Sequence, residues 1–377
     1  MFFTTIFFLG ALHGVALSIL LATKKVNRLS NRILGALMMV FSIDLAMAAF
    51  VGSGLYQQYP VFIGFDYPIT MLYGPLLFLY TETLVRSGRH FNRRELANFI
   101  PFVLLLMYTI PLFLMDSDQK IQLVGKHGGL DYGADFITHI KVVFNLSYIP
   151  VILYQLRKYQ AKAKDSYSTI DQRNLSWLKG FIYAFLILAL VSVVIHLLSS
   201  MAGSQDKYAD YMLLAVTIFV YSIGYMGLRQ AEFFAKHEVL VETDSTKVSE
   251  AETTDSYSKS GLSEERGLEL MEQLEKLMEI QKPFTNNELS LRELAGMMDI
   301  STHNLTEIIN RFAGKNFYDF VNSYRVEEVK QRLQTPESAN LTILALGMEA
   351  GFNSKSSFNS VFKKHTGMTP TEFKKQV

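Results

Sequence analysis

From Met1 to about Gln230, long apolar runs alternate with short polar breaks; beyond that, apolar residues recur every three or four positions in a mostly polar background. The first pattern suits lipid, because a bilayer-crossing helix needs roughly 20 predominantly apolar residues. Seven runs qualify, at about 1–23, 33–54, 62–84, 96–115, 136–156, 178–200 and 209–229. The third and fifth are the least regular, since Asp66, Lys141 and several prolines interrupt them. A buried helical core is the alternative, but so many such runs in succession argue against it. The expected fold is all-α: a seven-helix transmembrane bundle over 1–230, then a smaller helical domain. The first run lacks a preceding positive charge, and Lys24 and Lys25 stand where the small residues of a signal-peptide cleavage site would fall. It reads as a retained helix.

Charge in the breaks sets the orientation, because Lys and Arg accumulate on the cytoplasmic side. The first, third and fifth breaks together hold fourteen Lys and Arg, against three in the second, fourth and sixth. The expectation is a bacterial inner-membrane protein with its N-terminus outside and everything after Gln230 in the cytoplasm.

Ionisable groups inside a bilayer are costly and need a partner or a purpose. On this topology Asp44, Asp66, His139, Lys141 and His196 fall at mid-depth or in the outer half. Static pairing, such as Asp66 with Lys141, is the plain reading. The functional one is a polar site responding to a small-molecule or envelope signal. The spacing of the histidines fits no metal site, "HExxH" is absent, and no cofactor is expected.

Residues 231–262 contain "TDSTKVSEAETTDSYSKSG", polar and without apolar periodicity, which reads as a flexible linker. Structure resumes at 263. Ser263 can cap a helix whose Leu270, Met271, Leu274, Leu277 and Met278 form one stripe. "LSLRELAGMMDISTHNLTEIINRF" then gives a helix, a tight turn at Asp299–Ile300, and a second helix capped by Ser301. Leu305, Ile308, Ile309 and Phe312 face inward, leaving His303, Thr306, Glu307, Asn310 and Arg311 outward. After the long amphipathic stretch "NFYDFVNSYRVEEVKQRL" the design repeats. Thr342 caps a support helix, Gly351 suits the left-handed position after it, and Ser354 caps a second helix packing Phe358, Val361 and Phe362 inward. Lys355, Ser356, Ser357, Ser360 and Lys363 are left on its outer surface.

On "SLRELAGMMDIS", "NFYDFVNSYRVEEVKQRL" and "GFNSKSSFNSVFKKHTGMTPTEFKK", the region 263–377 closely resembles the DNA-binding domain of AraC-type (AraC/XylS) transcription regulators. The whole arrangement is similar to membrane-bound members of that family. The resemblance implies two helix-turn-helix units joined by a long helix, each laying its second helix in the major groove of promoter DNA. It also implies RNA polymerase as a partner. Base-reading positions carried over are His303, Thr306 and Glu307 in the first unit, and Lys355, Ser356, Ser357 and Ser360 in the second. Related domains often have arginine where this chain has Glu307 and Ser360, so two strong guanine contacts are absent; Glu307 can accept from a cytosine amino group instead.

Composition adjusts this picture in two places. Among 377 residues there is no cysteine, which removes disulfides, thiolate catalysis and cysteine-based metal sites. The net charge of +1 is uninformative overall, but residues 264–377 hold fourteen Lys and Arg against sixteen Asp and Glu. Non-specific DNA affinity, which comes from phosphate neutralisation, should therefore be weak and concentrated in the second unit. The expected function is a one-component regulator, not an enzyme, embedded in membrane lipid and controlled by association into a homodimer. The alternatives are a transporter or membrane enzyme with a regulatory DNA-binding tail, and an interaction module that no longer touches DNA. No nucleophile–base pair supports the enzyme.

Overall fold

The computed structural model describes residues 2–25, 27–85, 92–124, 135–170, 175–202, 214–227, 262–335 and 341–376. These are helical between turns and loops, with an isolated antiparallel bridge from Tyr167 to Ser290. The expected linker lies almost wholly outside the described residues, as do parts of the seventh run. The chain divides into two units: described residues within Met1–Arg157 and Ser176–Thr246, and those within Lys158–Leu175 and Lys247–Val377. The C-terminal unit thus takes in the last turns of the helix Asp135–Ser166 and the described residues that follow it.

In the first unit, α1 (Phe2–Thr23) and α2 (Arg28–Gly52) run antiparallel. Small residues set their spacing. A Cβ on Gly14 would lie 2.2 Å from Ser42 Oγ, and one on Gly35 would lie 3.0 Å from the Ser18 carbonyl. Close backbone approach through small residues is how apolar helices associate without a hydrophobic driving force. Gly224 and Gly227 of α8 (Leu214–Gly227) likewise make room for Leu17 and Leu34.

The irregular third run is broken. Residues 55–72 form short 3-10 turns around Pro60 and Pro68, and only Tyr73–Val85 is α-helix (α3). The fourth run becomes a 3-10 turn followed by α4 (Ile100–Leu114), and a short α5 (Ser117–Gln122) comes after it. The fifth continues well past its apolar part, as α6 (Asp135–Ser166). The sixth is α7 (Ser176–Ala202). By length and apolarity, three described helical stretches could cross a membrane: Phe2–Thr23, Arg28–Gly52 and Arg93–Leu114. The apolar stretches Ile69–Val85, Ser176–Val191 and Leu214–Gly227 are shorter as far as their residues are described, and the second of them is the first part of α7. Seven complete spans are thus not seen among the described residues. Prolines and 3-10 turns shorten the third, and Lys141, Asn145 and the polar C-terminal part lower the apolarity of α6.

In the second unit, α9 (Glu264–Ile280), α10 (Leu291–Met297), α11 (Thr302–Phe312), α12 (Phe317–Leu333), α13 (Ile343–Glu349), α14 (Lys355–Thr366) and α15 (Pro370–Lys374) build two separate cores. Leu274, Leu294, Leu305, Ile308 and Val321 sit in one; Val329, Leu346, Phe358 and Phe362 sit in the other. Helix α12 is shared. Each of these seven α-helices starts on a side-chain cap, from Ser263 at α9 to Thr369 at α15. Such a cap satisfies one of the first-turn N–H groups that lack an intrahelical partner.

Candidate nucleic-acid interface

Both helix-turn-helix units end the support helix in the same way. In the first, Ile300 N–H donates to Ala295 O and Asp299 N–H to Gly296 O; in the second, Phe352 N–H donates to Gly347 O and Gly351 N–H to Met348 O. This is the Schellman arrangement, and it requires a left-handed residue after the helix. Asp299 (φ 55°) and Gly351 (φ 99°) supply it. Ser301 then caps α11 by accepting from Asn304 N–H, and Ser354 caps α14 by accepting from Ser357 N–H.

On α11, His303, Asn310 and Arg311 are exposed, while Thr306 and Glu307 are half-buried. The Thr306 hydroxyl donates back to Thr302 O. The Glu307 side chain is only 15% exposed and lies 3.9 Å from the Arg311 guanidinium. Intrahelical ion pairing therefore competes with any use of Glu307 on a base. On α14, Lys355, Ser356, Ser360 and Lys363 are exposed and Ser357 is half-buried. Lys364 is anchored to Asp319 of α12 at 2.6 Å. The outer face of α14 thus presents lysines and hydroxyls. Lysine is suited to phosphate or guanine, and serine can bond to any base.

The sequence-expected signal residues are only partly brought together. Asp44 on α2, Asp66 in the 3-10 region and Lys141 on α6 interact electrostatically. Lys141 Nζ lies 3.8 Å over the Tyr67 ring, and Asp44 Oδ1 is buried without a hydrogen-bond partner among the described residues. Asn145, one turn on from Lys141, ties α6 to this region through Gly74 N–H and Thr70 O. His139 is exposed. The His196 side chain lies outside the described residues. Among the described residues no cluster of His, Asp and Glu is arranged to hold a metal.

One buried polar site escaped the sequence reading. Arg325, in the middle of α12, is 1% exposed. Its Nε donates to Phe284 O (2.7 Å) and a terminal nitrogen to Asn286 O (2.8 Å). Further bonds reach Ser168 O (3.1 Å), Ser168 Oγ (3.0 Å) and Thr169 Oγ1 (3.3 Å). Burial pushes its guanidinium down to about 10, so it remains a cation at neutral pH. In the sequence it is one polar residue in an amphipathic helix, and nothing local marks it.

Two capped helix-turn-helix units on one shared helix define a DNA-binding domain of transcription regulators. The sequence matches the family described as "Helix-turn-helix domain" over residues 294–376. This region is an AraC-type helix-turn-helix domain. The chain is 28% identical over 89 residues to "Probable transcription factor PqrA" of Proteus vulgaris, covering 24% of this chain and 70% of that one. Among solved structures it is similar to "The C-terminal domain of AraT, a response regulator from Geobacillus stearothermophilus", at 23% identity and a TM-score of 0.26. That match covers 31% of this chain and 89% of the other. A second likeness, to "a protein with unkown function from Listeria innocua", has 27% identity and a TM-score of 0.24. It covers 27% of this chain and 93% of that one.

Proposed function

We propose that this protein is a membrane-embedded one-component transcription regulator, in which N-terminal helices sense a signal and the C-terminal domain binds promoter DNA. One observation carries the reading: an AraC-type domain shares its chain with long helices whose large apolar side chains stay exposed. On α4, Leu104, Met107 and Leu114 are 61%, 61% and 80% exposed. In water such a surface is a liability, and in lipid it is the ordinary state. The fourteen-to-three asymmetry of Lys and Arg supports an outside N-terminus and a cytoplasmic reader. The cluster of Asp44, Asp66 and Lys141 is the candidate signal site, and RNA polymerase and a second copy of the chain are the partners this function requires. His303, Asn310, Arg311, Lys355, Ser356, Ser360 and Lys363 are the exposed positions for DNA, with Thr306, Glu307 and Ser357 at their margin.

The test has two arms. Genomic fragments selected by the detergent-solubilised full chain should converge on a common sequence upstream of genes. A reporter active only outside the inner membrane should work when fused near Gly128 and be silent near Ala161. Failure to enrich any sequence overturns the DNA reading, and the reversed reporter pattern overturns the topology.

A further inference from the structure

The segment between α6 and α7 is not a bare connector. Ser168, 1% exposed, directs every polar atom to the C-terminal domain. Its N–H and its hydroxyl both donate to Leu289 O, at 3.1 and 2.7 Å. Its carbonyl accepts from Asn322 Nδ2 and Arg325, and its hydroxyl oxygen accepts from Arg325 as well. Tyr167 pairs with Ser290 as an antiparallel bridge, while Ile170 is buried at 8%. A short non-helical segment therefore lies in a slot made by residues 284–290 on one side and α12 on the other.

The position of the slot matters. Along α12, Val321 belongs to the first core and Val326 to the second, so Asn322 and Arg325 mark the seam between them. Arg325 also stands 5.9 Å below the Phe352 ring, and a Cβ on Gly351 would lie 2.9 Å from its Nε. One guanidinium thus touches the approach to the first unit, the turn of the second, and the visiting segment. A buried cation needs its donors satisfied. When the segment leaves, the bonds to Ser168 and Thr169 break and water enters the seam.

We propose that this slot is a dedicated docking surface for residues 167–170 of the same chain, and that its occupancy couples the membrane helices to the DNA reader. The inference rests on the membrane-regulator reading above and adds the route of regulation. The segment is covalently continuous with α6 at one end and α7 at the other, so a rearrangement of either helix pulls on it directly. Docking changes the seam on which the placement of the two reading helices depends. A double reader tolerates little error there, because its target segments lie about one helical turn, roughly 34 Å, apart. By linkage, DNA that favours one setting of the seam must in turn bias docking.

The chain has no native cysteine, which makes a direct test clean. Tyr167 and Ser290 flank the Ser168 N–H to Leu289 O bond, which makes them a non-hydrogen-bonded antiparallel pair. Such pairs hold Cα atoms about 4.5 Å apart, inside the range that a disulfide bridges. The full chain carrying Y167C and S290C, with a protease site inserted near residue 252, is oxidised in membranes and then cleaved. The two halves should stay joined until reduced when both cysteines are in one chain, and should separate when they are on two co-expressed chains. Adding Ser168→Leu, which removes bonds to a charged donor, should slow cross-linking by about tenfold or more. In the otherwise native chain, Ser168→Leu should shift promoter output and blunt its response at unchanged membrane level, and should change the affinity of the solubilised full chain for its promoter DNA. No cross-link in the double-cysteine chain overturns docking. Normal output and response from Ser168→Leu, when that change abolishes the cross-link, overturns coupling. The cross-link reports on the slot even if the protein binds no DNA, so the two readings fail separately.

Discussion

The two helix-turn-helix units share one turn geometry and differ in almost everything placed upon it. The first closes its support helix with Asp299, and Gly296 has open space where a Cβ would go. The second closes with Gly351, where a Cβ would lie 2.3 Å from Phe284 O. Gly347 is pressed so closely on Phe358 that a Cβ would lie 2.8 Å from its ring. The outer face of α11 offsets Arg311 with Glu307, whereas α14 offers Lys355 and Lys363 without an acid on its own helix. The first unit is loosely closed and near neutral; the second is tightly closed and basic. Under the proposed function this contrast becomes a division of labour, with the second supplying phosphate affinity and the first discriminating among sequences.

The largest expected effect comes from the tight turn. Gly351→Ala combines a φ that side chains rarely adopt with a clash against backbone, and should cost about 3 kcal/mol. Site-resolved hydrogen exchange on the full chain should show α13 and α14 losing protection while α10 and α11 keep theirs. Equal loss in both units would mean that the two cores unfold as one.

Next comes charge. Replacing Lys355 and Lys363 together with alanine should weaken binding and lower the salt slope of log K by about 0.9 for each phosphate no longer neutralised. His303→Ala should instead change which sequences are preferred, with a nearly unchanged slope. Swapped outcomes in a salt titration would reverse the assignment of roles.

The caps should then respond alike. Ser301→Ala and Ser354→Ala each remove a first-turn acceptor, at about 1 kcal/mol. A clear inequality in local exchange would show that the tight closure of the second unit compensates for a missing cap. The smallest effect is expected from Asp299→Gly. Relief at a left-handed position roughly cancels the added freedom of the unfolded chain, for a net change within about 0.5 kcal/mol. A loss near that of Gly351→Ala would abolish the contrast between the turns.

What the sequence could reveal tracks how local the cause is. Ser263, Ser301, Thr342 and Ser354 were readable as caps because a cap bonds within three residues, and all four do so. Asp299 and Gly351 were readable because the helix they end and the residue that permits it are adjacent. Glu307 was only half legible: periodicity places it toward the outer face, but its burial depends on neighbours that periodicity does not specify. The third apolar run misled for a related reason, since hydropathy counts side chains and is blind to the 3-10 turns around Pro60 and Pro68. Ser168 was invisible. Its partners Leu289, Asn322 and Arg325 lie more than a hundred residues away in the chain, and a serine in a polar break carries no mark of them.

Helix α12 has a consequence for how the targets of such a reader can evolve. Its 17 residues make a rod roughly 25 Å long, with one end fixed in each core. Exposed side chains on α11 or α14 can change singly, and promoter letters can drift to match them. The rod cannot be altered by small steps, because each inserted residue turns the second unit by about 100° relative to the first. Across a set of diverging promoters under one such regulator, the letters of the two half-sites should therefore wander while the distance between them stays constant.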